Sequence, residues 1–115
     1  MSQASAVTLE DTALQSLRSC RHFLIDHMDM PPARAHAYTQ GLADSAMTRA
    51  RERPDTYRLC RIALEMGIDH YRELLVDDYR VIYHYWPKEN QVSIYLFAHQ
   101  RQDFKRLLFE YQILS

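Results

Sequence analysis

The sequence predicts one α+β domain in the order β-α-α-β-β-β-α, with a two-helix hairpin packed on a small antiparallel sheet. Three observations predict it. From Leu14 to Ala50 apolar residues recur at helical spacing, with a break at "DMPP". After His70 the period falls to two, in runs rich in Tyr, Val and Ile. The connections between those runs, "VDD" and "PKENQ", are so short that the strands must be antiparallel.

Each element has its own warrant. "ASAVT", residues 4–8, reads as a short first strand. Thr8, three residues before Asp11, resembles a helix N-cap, and Leu14, Leu17, Cys20, Leu24 and Met28 form the stripe of a first helix over 9–28. Pro31 or Pro32 suits the first turn of a second helix, where a missing N–H costs little. Its stripe is Ala35, Tyr38, Leu42, Ala46 and Ala50, small enough for close approach, and Pro54 ends it. Residues 57–70 fit either a turn or two of helix capped by Gly67 or an irregular connector. Strands follow at 71–76, 78–86 and 92–99, then a short helix at about 102–112 that starts at Gln102 or Asp103. Strict alternation would set Tyr79, Val81, Tyr83 and Tyr85 against Arg80, Ile82, His84 and Trp86. It would likewise set Val92, Ile94, Leu96 and Ala98 against Ser93, Tyr95, Phe97 and His99. His99 and Arg101 are then expected on the less covered side of the sheet.

Composition narrows the function classes. At 115 residues the chain holds one core, with a net charge of −1 that draws no nucleic acid by its overall field. No apolar run reaches the roughly 20 residues of a membrane span, so no membrane role is expected. "MSQASAVTLEDT" has neither a basic start nor an apolar block, so it does not read as a secretory signal. Cys20 and Cys60 lack a CxxC pattern and read as reduced thiols of a cytoplasmic protein. Among the basic residues only Lys88 and Lys105 are Lys, and the Arg bias suits either bidentate anion contacts or a GC-rich genome. His22, His27, His36, His70 and His84 show no metal-ligand spacing, so neither a metal nor a cofactor is expected.

The stretches "YRELLVDDYRVIYHY" and "VSIYLFAHQRQDFKRLL" carry a resemblance. Tyr71, Arg72 and Leu74, then Tyr79, Arg80, Val81 and Tyr83, then His99, Arg101 and Asp103 resemble the C-terminal half of RelE/ParE superfamily toxins of bacterial toxin–antitoxin pairs. That family holds two activities on one scaffold, messenger-RNA cleavage in the ribosome's decoding site and inhibition of DNA gyrase. For the nuclease the resemblance implies two lysines on the first hairpin strand; Arg72 falls on one place and Leu74, which carries no charge, on the other. Arg80 and Arg101 fall on the arginine places, and Leu107 near that of a tyrosine. RNA cleavage needs a base, cations for the gathering phosphate charge and an acid. Arg72, Arg80 and Arg101 would be the cations and His99 the proton carrier, so the set is partial.

From residue 71 onward six basic and six acidic side chains cancel, which suits a protein target better than a phosphate-dense one. The resemblance therefore implies, on the ParE-like side, a gyrase-binding surface drawn from Arg80, Trp86, Arg101, Phe109 and Tyr111, with Tyr95 and Phe97 beside them. A cognate antitoxin is the implied partner, bound by a helix in a groove or by strand addition, in a hetero-oligomer or beside a homodimer. The alternative target is the ribosome with its mRNA, and a second alternative is an inactive or non-toxin binding domain of this fold. The plainer readings stand beside these. His99 would be a strand-end hydrogen-bonding residue, Arg80 and Arg101 would pair with Asp77, Asp78 or Asp103, and Trp86 would anchor the core or the turn.

Overall fold

The stretch of helical period packs on one face of a sheet that the alternating stretch builds. A computed structural model describes residues 5–113. Its elements are β1 (Ala6–Leu9), α1 (Asp11–Met28), α2 (Pro32–Glu52), α3 (Arg61–Glu65), β2 (Tyr71–Val76), β3 (Tyr79–Trp86), β4 (Gln91–His99) and α4 (Phe104–Glu110). The expected order holds, with the short α3 resolving the ambiguous connector. Gly67, at φ 83°, takes the left-handed turn after it. Residue 4, where the first strand was expected to start, lies outside the described range.

The strands lie in the order β1-β4-β3-β2. β2, β3 and β4 are antiparallel as expected, whereas β1 runs parallel to β4, so the sheet is mixed rather than wholly antiparallel. The α1–α2 hairpin is the crossover that a parallel return requires. This pairing also corrects the expected helix cap. Thr8 sits in β1 opposite Ser93, and the strand continues until the Glu10 N–H donates to the Ile94 carbonyl at 2.9 Å. Glu10 is the N-cap residue of α1, without a side-chain cap bond.

α1 and α2 cover one face. Leu17, Cys20, Leu42 and Ala46 meet Leu74, Val81, Tyr83 and Ile94 there. Leu14 and Met28, expected on the inner stripe, are 49% and 39% exposed; Ala13 and Ser16 turn inward instead. The other face is covered by α3 and α4, where Cys60, Ala63, Phe104 and Leu108 pack on Ile82, Leu96 and Ala98. Cys20 and Cys60 are free, buried, and on opposite faces. Burial pushes the Cys20 thiol up to about 12, so it is no nucleophile at neutral pH.

One irregularity overturns the expected alternation. Ile82 pairs with Leu96 but Tyr83 pairs with Ile94, so Tyr95 is an extra residue. Tyr95 and Leu96 both turn to the α4 side, and from there the parity of β4 is reversed. Phe97 therefore lies in the α1–α2 core, with Leu96 and Ala98 opposite. The bulge leaves a buried amide that the ladder does not satisfy. The Phe97 N–H donates instead to Ser16 Oγ at 2.9 Å, and that hydroxyl donates to the Ala13 carbonyl at 2.8 Å. Ser16→Ala should cost about 1–3 kcal/mol, the penalty for an unsatisfied buried donor, as read by urea unfolding. An unchanged midpoint would mean that the bulge does not depend on Ser16.

The β2 edge is closed by the chain itself. Leu59 bridges Arg72, the Cys60 N–H donates to the Tyr71 carbonyl at 2.8 Å, and the Glu73 N–H donates to the Arg58 carbonyl at 3.0 Å. Arg49 Nη1 donates to the Leu75 carbonyl at 2.7 Å. No helix among the described residues is long and apolar enough to cross a membrane.

Candidate functional site

The hairpin register fixes where each charged candidate goes. Arg72, Leu74 and Val76 alternate onto the α1–α2 face. Leu74, at the place where the resemblance expects a lysine, is 1% exposed in the core. Arg72 is half-buried, and its Nη1 donates to the Tyr57 carbonyl at 2.6 Å. Arg80 points to the other face, with its guanidinium 4.8 Å from the centre of the Phe104 ring, a cation–π contact. Arg72 pairs with Tyr83 and Arg80 with Leu75. The two arginines are thus three rows apart, roughly 10 Å along the strand, and on opposite sides of the sheet.

His99 and Arg101 are corrected as well. The reversed parity of β4 takes His99 away from the less covered side. It lies 4% exposed under α1, with its ring centre 5.1 Å from Phe23 and 5.0 Å from Tyr79. Its Nδ1 accepts the Arg101 backbone N–H at 3.0 Å, so this nitrogen serves the turn. Burial holds the imidazole below its ordinary value; Asp78 opposes that and Arg101 adds to it. The Arg101 side chain is exposed, with Nη1 3.3 Å from Met28 Sδ. Among the described residues neither Arg80 nor Arg101 is ion-paired. The pairs are Arg58–Glu73, Arg61–Glu65 and Arg106–Glu110. Asp77 instead accepts from the Tyr38 hydroxyl at 2.9 Å, and Asp103 caps α4 by accepting the Arg106 N–H at 3.1 Å.

The His99 environment gives a pH dependence. A group whose folded pKa is depressed stabilises the fold above its unfolded value, near 6.5, and that stability is lost as pH falls through the folded pKa. Protonation of Nδ1 also removes the acceptor of the Arg101 N–H. The melting temperature should therefore fall more steeply below about pH 6.5 for the wild type than for His99→Gln. Parallel curves would contradict the assignment. In this structure His99 is buried and its Nδ1 holds the turn through the Arg101 N–H.

The aromatic candidates assemble better. Trp86, 40% exposed at the end of β3, stacks on His84 with 3.7 Å between ring centres; it lies outside the core and pairs with Gln91 across the turn. His84 also neighbours His70 at 4.7 Å and Tyr71 at 6.4 Å, and Tyr71 meets Tyr95 at 5.6 Å. Burial, then His70, lowers the pKa of His84. Tyr71, Tyr95 and Tyr111 line a shallow groove of about 300 Å³ beside Glu10, Asp11 and Thr12. The Tyr111 hydroxyl lies 2.9 Å from Ser19 Oγ, and Phe109 on α4 is 44% exposed. Phe97, 1% exposed, drops out as a surface candidate, and Leu107 is half-buried against the α4-side core. The sequence reading missed the part played by His70, Tyr71 and His84. Their contact depends on the Tyr71–His84 pairing, which only the hairpin register reveals. Among the described residues no group of three or more His, Cys, Asp or Glu could hold a metal ion.

The fold has a counterpart among solved structures. A chain of the crystal structure of the toxin–antitoxin complex RelBE2 from Mycobacterium tuberculosis superposes with a TM-score of 0.59 at 16% identity, covering 89% of this chain and 98% of that one. No curated protein matches this sequence. Residues 7–104 match the family described as "ParE toxin of type II toxin-antitoxin system, parDE". That match runs from β1 to the first residue of α4, through both sheet faces and both places where the arginines diverge. The chain belongs to the ParE toxin family.

Proposed function

We propose that this protein is the toxin of a type II toxin–antitoxin pair and that it acts in the ParE manner, by binding DNA gyrase rather than by cutting messenger RNA. The observation that carries this reading is the divergence of the cationic candidates. Arg72 and Arg80 lie on opposite faces, Leu74 fills the core, and His99 is buried with Nδ1 already bonded. Phosphate-bond cleavage needs charges and a proton carrier aimed at one point. A protein-binding surface needs no such convergence, only exposed anchors, and Trp86 and Phe109 supply them.

The cognate antitoxin is the expected partner, since the structurally similar RelBE2 is itself a toxin–antitoxin complex. The covered β2 edge leaves the β1 side for an antitoxin segment that adds a strand. The working compartment of such a pair is the cytoplasm. Induction of this chain alone in a bacterium should collapse the count of surviving colonies. Co-expression of the small antitoxin gene beside it should restore the count and yield a stable complex. Full survival without a complex would contradict the toxin reading and favour a non-toxin binding domain of the same fold.

A further inference from the structure

His70 and His84 are 14 positions apart in the sequence, and the β2–β3 hairpin brings them side by side. Their ring centres are 4.7 Å apart with the planes at 39°. We propose that these two imidazoles form a chelating site for a divalent transition metal ion of the imidazole-preferring class, such as Ni²⁺, Cu²⁺ or Zn²⁺. This proposal is independent of the gyrase reading.

The spacing is the first reason. Two imidazole nitrogens about 2.0–2.1 Å from one ion, at an angle between square-planar and tetrahedral, put the ring centres about 4.5–5.1 Å apart. The observed separation of 4.7 Å falls inside that range, with the rings to be turned so that one nitrogen of each faces the ion. The second reason is the scaffold. His84 lies in β3 between Tyr71 of β2 and Ser93 of β4, held on both sides. His70 directly precedes Tyr71, whose carbonyl accepts the Cys60 N–H. His84 is thus fixed within a paired strand and His70 adjoins the first paired residue of β2, so the two ligands lose little freedom when an ion binds. The third reason is access, because His70 is exposed and His84 half-buried. Two ligands leave the remaining coordination positions to water or to a carboxylate or imidazole of a bound partner. The site is therefore an exchangeable one rather than a structural zinc centre.

The single tryptophan of the chain reports on the site, since Trp86 lies 3.7 Å from His84. Tag-free protein is titrated with NiCl₂ or CuCl₂ at a pH above the imidazole range, with Trp86 fluorescence followed and EDTA added at the end. Saturable, EDTA-reversible quenching at one ion per chain is expected. Exposed His70 can be removed without disturbing the core, so His70→Ala should weaken the midpoint by at least about tenfold, since even an outer-shell ligand partner is worth that much. Calorimetry with ZnCl₂ should show one site in the wild type, with the same loss in His70→Ala and in His84→Asn. Absence of saturable binding, or an unchanged midpoint in His70→Ala, would overturn the proposal.

Discussion

Leu74→Lys is expected to unfold or strongly destabilise this protein instead of completing a nuclease. The substitution writes in the lysine that the resemblance to ribosome-dependent nucleases expects. Leu74 is 1% exposed, however, among Val76, Val81 and Tyr83 beneath α1 and α2. An ammonium group there has no carboxylate within the core cluster to meet it, and a buried unpaired charge costs several kcal/mol. Loss of the leucine side chain from the core adds about 2 kcal/mol. Together they rival the roughly 5–15 kcal/mol that stabilise a domain. Thermal melting should show no cooperative transition, or one lowered by well over about 10 °C. Leu74→Met, which conserves volume, should stay within about 1.5 kcal/mol of the wild type. A folded, stable Leu74→Lys protein would mean that β2 presents this position to solvent.

The largest functional effect belongs to the exposed aromatics. Trp86 and Phe109 are 40% and 44% exposed, and neither belongs to a core cluster. Their removal should leave the fold intact and, on the proposed reading, strip the surface of its anchors. Truncation of an interface hot spot costs about 2 kcal/mol or more, roughly thirty-fold in affinity. Trp86→Ala and Phe109→Ala should each raise by that order the concentration needed to inhibit gyrase, with melting temperatures near that of the wild type. If both variants inhibit as the parent does, the target surface lies elsewhere on the chain.

The fold was legible in the sequence because each element carried a local signal. Leu17, Cys20 and Leu24 marked α1, Pro32 opened α2, and Pro87 and Asn90 marked the turn before β4. The site was less legible, for a physical reason at one residue. Tyr95 is an extra residue in β4, and nothing in "VSIYLFAH" distinguishes a bulge from plain alternation. That single shift carried Phe97 into the core and His99 under α1, which removed one surface anchor and one proton carrier. The parallel pairing of β1 was hidden for a similar reason, since it depends on the far strand β4 rather than on any neighbour in sequence. The divergence of Arg72 and Arg80, by contrast, follows from the hairpin turn at Asp77 and Asp78 and from alternation alone.

DNA supercoiling decides whether this chain acts on gyrase through a protein-binding surface, as proposed. Relaxed plasmid, gyrase and ATP are incubated with rising amounts of the purified chain, and programmed ribosomes are run in parallel. Dose-dependent loss of supercoiling is expected, reversed by the cognate antitoxin and unchanged in His99→Gln, with messenger RNA left intact on the ribosomes. Full supercoiling at every dose, together with codon-dependent cuts that vanish in Arg80→Ala and Arg101→Ala, would contradict it.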